Sequence, residues 1–219
     1  MSDLRQRKFA RTRLALARVL ADALARESFA AVPVKQLCRE AEVSEATFFN
    51  YFGRKQDLMT YLAHLWMLEL GWQVQQAVNE GNTGLPAVYR LFAEVARTCE
   101  RRPGVLAELL AWIARGGELD SALEISAVEK QLAFPELAGI EAIPVKTPDA
   151  WLVPQLQAAI AAGELPENAL VPVLLGALLA ILFGVPLTLL GSDPGRIASV
   201  YRQQLALLLA GVRAAAGRT

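Results

Sequence analysis

The chain has 219 residues, 54% of them hydrophobic and 20% charged, with a formal net charge of zero. That composition builds a substantial core and excludes an intrinsically disordered protein, and the length leaves room for one domain of ordinary size plus a small one. Two cysteines, Cys38 and Cys99, and one histidine, His64, share no metal-ligand spacing and make no disulfide framework, and Met1 to Ala10 carries no signal-peptide core, so a reducing cytoplasm is the expected compartment.

The neutral total hides an asymmetry. Residues 1–60 carry 11 Lys/Arg against 7 Asp/Glu, a surplus of four, which the rest of the chain cancels. A basic end on a neutral chain suggests a polyanion partner at that end, although a solvated charged face would look the same.

Apolar–polar alternation is absent and Ala and Leu dominate, so the pattern predicts an all-helical protein without internal repeats. A first helix is expected over Leu4–Glu27, with Leu16, Leu20 and Leu24 as its apolar stripe. Two short helices follow, Val34–Ala41 and Glu45–Phe52, then a long one from Lys55 to Glu80. Gly81 to Gly84 breaks the chain. Beyond it, helices are expected over Leu85–Arg101, Pro103–Arg115 and Ser121–Ala133. Phe134–Pro148, with three prolines, reads as irregular connection. Pro148–Ala162, Pro166–Leu190 and Gly195–Ala215 complete the chain, the last with Asp193 as N-cap and Pro194 at its first position.

Leu170–Leu190 holds no charged residue over 21 positions and is long enough to span a bilayer. No basic cluster or interfacial Trp or Tyr flanks it, which favours a helix buried in a bundle or a dimer interface instead.

The segment Val34–Phe52 is the most informative. Val34, Leu37, Cys38 and Ala41 fall at i, i+3, i+4 and i+7, one apolar stripe on a two-turn helix. Glu42 and Val43 make the turn, and Ser44 can cap the next helix by accepting from the amide of Ala46 or Thr47. Phe48 and Phe52, four apart, pack inward. That leaves Glu45, Ala46, Phe49 and Asn50 facing out at the part of the helix that enters a major groove in such motifs. Thr47 and Tyr51 share a flank from which hydroxyls reach phosphates, and Lys55 opens the next helix, where its charge adds to free amides. Two packed short helices with no nucleic-acid role would satisfy the apolar pattern too; the outward Thr, Asn, Tyr and Lys on a basic segment argue against that.

Residues 10–66 resemble the N-terminal domain of the TetR (tetracycline repressor) family. Val43 to Phe52 matches its turn and recognition helix, Gly53 to Leu58 the opening of its fourth helix, and Phe29 the aromatic residue that ends its first segment. The resemblance implies a helix-turn-helix DNA-binding domain over 1–53, a linking helix over 54–80 and a helical ligand-binding and dimerisation domain over 81–219. It implies a homodimer on a palindromic operator of double-stranded DNA, a small-molecule effector, no cofactor, no membrane and no enzymatic step. DNA contacts are expected from Lys35, Ser44, Glu45, Ala46, Thr47, Phe49, Asn50, Tyr51 and Lys55. Trp66, Tyr89, Phe92, Trp112, Trp151 and Phe183 are candidates for the pocket wall, each equally readable as plain core, and the scarcity of charge in the middle helices points to a mostly apolar ligand. His64 reads as an ordinary helix-surface residue or a polar group of the pocket.

Three departures from the family pattern stand out. Glu42 replaces the usual turn glycine, at a cost on the order of 1 kcal/mol if the site is left-handed. Phe49 stands where many relatives have Tyr, and Val32-Pro33 where a Thr often caps the second helix. Phosphate contacts should therefore lean on Tyr51, Thr47, Lys55 and the N-terminal arginines. An enzyme is disfavoured: the sequence offers no nucleophile–base set, metal spacing or Gly-rich phosphate loop.

Overall fold

The computed structural model describes residues 3–117 and 123–216. Among these the chain forms α1 (Asp3–Leu24), α2 (Val34–Glu40), α3 (Glu45–Tyr51), α4 (Lys55–Asn79), α5 (Leu85–Arg101), α6 (Pro103–Ala114), α7 (Ala127–Ala133), α8 (Pro148–Ala161), α9 (Val171–Leu189) and α10 (Ile197–Ala216). Short 3-10 turns lie at Ile140–Ala142 and Pro194–Arg196, and no strand occurs among the described residues.

The helices gather into two compact units, each built from two stretches of chain. One comprises residues 1–69 and 104–145, the other 70–103 and 146–219. In the first, Leu16, Leu20 and Leu24 of α1 bury the stripe read from the sequence, against Leu37 and Cys38 of α2, Phe48 and Phe52 around α3, and Leu58 of α4. Glu108 of α6 accepts a hydrogen bond from the Phe29 amide at 2.8 Å, which ties the loop after α1 to that helix.

In the second unit α5 packs on α8 and α10, and α9 packs on α8 and α10. The start of α5 is capped from α8 and beyond: the Gly84 amide donates to Gln155 Oε1 at 3.1 Å and the Leu85 amide to Glu164 Oε2 at 2.8 Å. Those bonds satisfy donors that a helix N-terminus otherwise leaves open. Tyr201 meets the Phe92 ring edge-on at 4.9 Å and donates its hydroxyl to the Leu182 carbonyl at 2.6 Å, joining α10 to α5 and α9. Gly71 has no room for a side chain, because a Cβ there would sit 2.4 Å from the Trp151 indole.

Several boundaries differ from expectation. The helix expected over Ser121–Ala133 begins at Ala127 instead; residues 121–122 lie outside the described residues. Its start is fixed by a capping box, with Ser126 Oγ accepting from the Glu129 amide and the Glu129 carboxylate accepting from the Ser126 amide. The helix expected from Pro166 begins at Val171. A helix running through from 166 would place Pro172 in its interior, at about 3 kcal/mol, whereas a start at Val171 puts Pro172 in the first turn, where its missing N–H costs nothing. Asp193 does not cap α10: its side chain makes no capping bond, and a 3-10 turn from Pro194 to Arg196 leads into the helix. His64 is buried in α4, not on a helix surface.

Helix α9 is long and apolar enough to cross a membrane. Here it is buried along one face only, by Leu174, Leu178 and Leu182. Its other side is open: Leu170 and Val173 at its start are 67% and 65% exposed, and Leu187 is 59% exposed, while on α10 Leu207 is 75% exposed. Burial on all sides, as expected from composition, is not reached within this chain.

Candidate nucleic-acid interface

The connection between α2 and α3 is a Schellman motif. Ala41 is the C-cap; the Glu42 amide donates to the Arg39 carbonyl at 3.3 Å and the Val43 amide to the Cys38 carbonyl at 2.9 Å. Glu42 occupies the position that closes such a motif and has φ of +55°, the left-handed region. A side chain there costs about 1–2 kcal/mol. Glycine would recover that cost but lose about 0.4–1 kcal/mol through the greater freedom of the unfolded chain. Glu42→Gly is therefore expected to raise the unfolding free energy modestly, by about 0.5–1 kcal/mol, with an unchanged m-value in urea titration; a destabilised variant would show that Glu42 makes a compensating contact.

Ser44 then caps α3, as its position in the sequence demands: its Oγ accepts from the Thr47 amide at 3.0 Å. The same oxygen lies 2.8 Å from Thr47 Oγ1, so the threonine hydroxyl is held by its own cap. Phe48 is fully buried and stacks obliquely on Phe52 at 5.8 Å, which in turn meets Tyr61 of α4 at 5.5 Å. With those rings inward, Glu45, Ala46, Phe49 and Asn50 are exposed, and Phe49 lays its ring edge-on to Phe48 at 5.3 Å.

An open groove of about 1280 Å³ runs between α1 and the turn-plus-α3 segment. From one side it receives Ser44, Thr47, Asn50 and Tyr51, and from the other Arg5, Lys8, Arg11 and Thr12 of α1; Glu42 also faces it. Three cations against one carboxylate make the groove electropositive, as a phosphate-binding surface requires. Tyr51 is half-buried, its ring 4.7 Å from that of Phe9, so α1 also sets the position of the tyrosine.

Four of the nine expected DNA-binding residues thus share the groove. Glu45, Ala46 and Phe49 lie on the exposed face of α3, and Lys35 is exposed on α2. Lys55 is turned inward: its Nζ donates to the Phe29 carbonyl and sits 4.3 Å from the centre of the Phe29 ring. Burial lowers its pKa below the ordinary lysine value. Just before α4 the Arg54 amide donates to Asp57 Oδ2 at 2.8 Å.

The sequence reading named the N-terminal arginines only collectively and passed over Lys8 and Thr12. The signal was present: positions 5, 8 and 12 follow the i, i+3, i+7 spacing of one helix face, flanking the apolar stripe already assigned to the core.

The six candidate pocket residues are divided between the two units. Trp66 and Trp112 are buried in the first unit; Trp151 and Phe92 are buried in the second, where Phe183 is half-buried and Tyr89 exposed. Tyr89 and Phe92 line a common space, a groove of about 720 Å³ between α5 and α10 floored by Tyr201 and flanked by Arg97 and Arg202. The indole N–H groups of Trp66 and Trp151 are buried without a hydrogen-bond partner.

Residues 18–62, from the second half of α1 into α4, match the family model for bacterial regulatory proteins, tetR family. The N-terminal segment belongs to the tetR family. No curated protein matches the chain. Among solved structures, the tetR-family transcriptional repressor FadR of Thermus thermophilus, in complex with lauroyl-CoA, superposes with a TM-score of 0.62 at 20% identity, covering 91% of this chain and 94% of its own. A gamma-butyrolactone receptor described as ArpA-like superposes at 0.56 with 17% identity, over 94% and 90% of the two chains. A putative tetR-family regulator from Shewanella sp. PV-4 gives 0.58 and 16%, over 91% and 97%. At these identities the likeness establishes the shared fold: the all-helical architecture of tetR-family regulators extends over nearly the whole chain, beyond the segment the family model covers.

Proposed function

We propose that this tetR-family protein is a homodimeric, one-component transcription repressor that holds a palindromic operator and releases it when a small, mostly apolar ligand binds. The observation that supports the reading most directly is the groove in which the basic face of α1 stands opposite the outward side of α3. In this reading residues 1–53 hold DNA, 54–80 form the link, and 81–219 bind ligand and dimerise. The protein works in the cytoplasm without cofactor or catalytic step. Asn50, Glu45, Ala46 and Phe49 meet bases, while Ser44, Thr47, Tyr51, Lys35 and the groove arginines Arg5 and Arg11 of α1 meet phosphates.

The open apolar sides of α9 and α10 support dimerisation, since large contiguous apolar surface is rare on monomers. Two recognition helices about 34–36 Å apart would then read successive major grooves. For the ligand, FadR of Thermus thermophilus was solved with lauroyl-CoA and another fold relative is a butyrolactone receptor. The ligand's differential affinity for the two states sets how far it can shift the equilibrium toward release.

Selection of bound duplexes from the genomic neighbourhood, followed by binding across a salt series, tests the reading. Wild-type protein is expected to enrich a palindrome. Asn50→Ala is expected to change the enriched sequence more than total affinity, by about 1–3 kcal/mol of discrimination at one base pair. Lys55→Ala is expected to lower the salt slope by about one if the side chain leaves Phe29 to meet a phosphate. Failure to enrich any duplex would overturn the function itself.

A further inference from the structure

One arginine of α1 does not behave as the others do. Arg5, Arg7, Lys8, Arg11 and Arg18 are exposed, but Arg13 is buried. Its guanidinium lies 5.4 Å from the ring centre of Phe9, 5.3 Å from Phe52 and 4.2 Å from Tyr61, enclosed by three aromatic faces. Nη1 donates to Glu129 Oε1 at 2.9 Å and to the Glu124 carbonyl at 3.2 Å, while Nε is buried with no partner.

Glu129, on α7, is equally buried and its acceptors are well used. Tyr61 donates its hydroxyl to Oε1 at 3.0 Å, and the Ser126 amide and hydroxyl donate to Oε2 at 2.9 and 2.8 Å. Burial and the neighbouring carboxylate push the Tyr61 phenol well above its ordinary pKa, so it remains a donor.

The aromatic cage leads directly to the recognition helix. Phe52 is the C-cap of α3, and Phe9 stacks on Tyr51, the last residue of α3. Both residues that close the helix therefore rest on the Arg13 guanidinium, one directly and one through a single ring. What fixes the guanidinium is a carboxylate 116 positions later in the chain, on a helix whose own start depends on that carboxylate through the Ser126 capping box.

We propose that Arg13 and Glu129 are positioning residues for DNA recognition: the docked α7 holds the guanidinium, and the guanidinium seats the C-terminal end of α3 against α1. The proposal rests on the reading of α3 as the recognition helix. A buried cation stripped of its carboxylate is strongly unfavourable, whereas removing both charges is far less so. Arg13 without Glu129 must seek water, and Phe9, one of the rings that enclose it, borders the groove together with Tyr51. Departure of α7 therefore disturbs α3 without any residue of α7 touching DNA.

The test uses the full-length protein and the duplex that wild type selects. Glu129→Gln keeps most of the shape and removes the charge; Tyr61→Phe keeps the ring under the guanidinium and removes one donor; Arg13→Met with Glu129→Met removes both charges. Each is compared with wild type at a temperature where circular dichroism and urea titration show it folded. Glu129→Gln is expected to weaken specific binding about tenfold, the scale at which residues that couple two sites act without touching ligand. Its salt slope and its affinity for an unrelated duplex are expected to match wild type, because no phosphate contact is lost. Tyr61→Phe should lie between the two, and the double Met variant should bind more tightly than Glu129→Gln. Specific binding by Glu129→Gln within twofold of wild type overturns the proposal, as does a salt slope lowered by about one, which would make Arg13 a phosphate contact. If Glu129→Gln does not fold, Tyr61→Phe decides by the same two readouts. Absence of any selected duplex for wild type would instead overturn the DNA-binding reading on which the proposal stands.

Discussion

Placing glutamates on the open side of the last two helices is expected to abolish operator binding without touching the reading head. Val173 and Leu207 are 65% and 75% exposed, so a charge there costs the isolated chain little. In a dimer formed through α9 and α10 the same charges would be buried against apolar surface, where an unpaired carboxylate is not tolerated. The doubly substituted chain should sediment as a monomer with unchanged helix content. Operator affinity should fall by about 10²–10⁴-fold, the advantage of holding two half-sites at once. The backbone favours close helix contact on this side: Gly176 and Gly184 of α9 and Gly211 of α10 have nothing within 4 Å of where a Cβ would stand. A stable dimer that binds its operator as wild type does would place the interface elsewhere and leave the exposed apolar side unexplained.

Phe48→Ala is expected to have the largest effect on stability. Phe48 is fully buried between Phe52 and the helices of the first unit, and truncating a core phenylalanine costs about 3–5 kcal/mol. Against a total of about 5–15 kcal/mol for a typical domain, that loss approaches unfolding. Urea titration should give a much lower midpoint for the first transition, and DNA binding should disappear with the fold. The neighbouring substitution is the control. Phe49 is 51% exposed, so Phe49→Ala should move the midpoint little while altering duplex selection. If the two variants lose stability equally, the assignment of one ring to the core and the next to the DNA face is wrong.

How much of this was legible from the sequence depended on how local the cause was. The stripe of Leu16, Leu20 and Leu24, the Ser44 cap and the inward pair Phe48 and Phe52 are set by spacing within one or two turns, and the structure has them as the periodicity requires. The left-handed turn at Glu42 was legible through the resemblance alone, whose pattern has a glycine at that position. Lys55 was not: whether an ammonium points out to a phosphate or back to the Phe29 carbonyl is decided by a loop 26 residues earlier. The start of α9 was missed because apolar composition does not mark a helix end, and the deciding residue, Pro172, reads the same in a first turn as in a kink. Arg13 looked like any basic residue of α1; its partner is remote in sequence, and nothing near either residue announces the pair. The pocket aromatics were chosen by residue type alone, and residue type does not say which rings share a space.

The distance between Arg13 and Glu129 has a consequence for synthesis. A chain emerging from the ribosome at about 5–20 residues per second presents α1, α2 and α3 long before α7 exists. For roughly 6–23 seconds the guanidinium that the folded unit encloses has no carboxylate to meet. Early folding of the N-terminal helices must therefore be provisional, and the nascent chain commits to its final core only once α7 has left the exit tunnel.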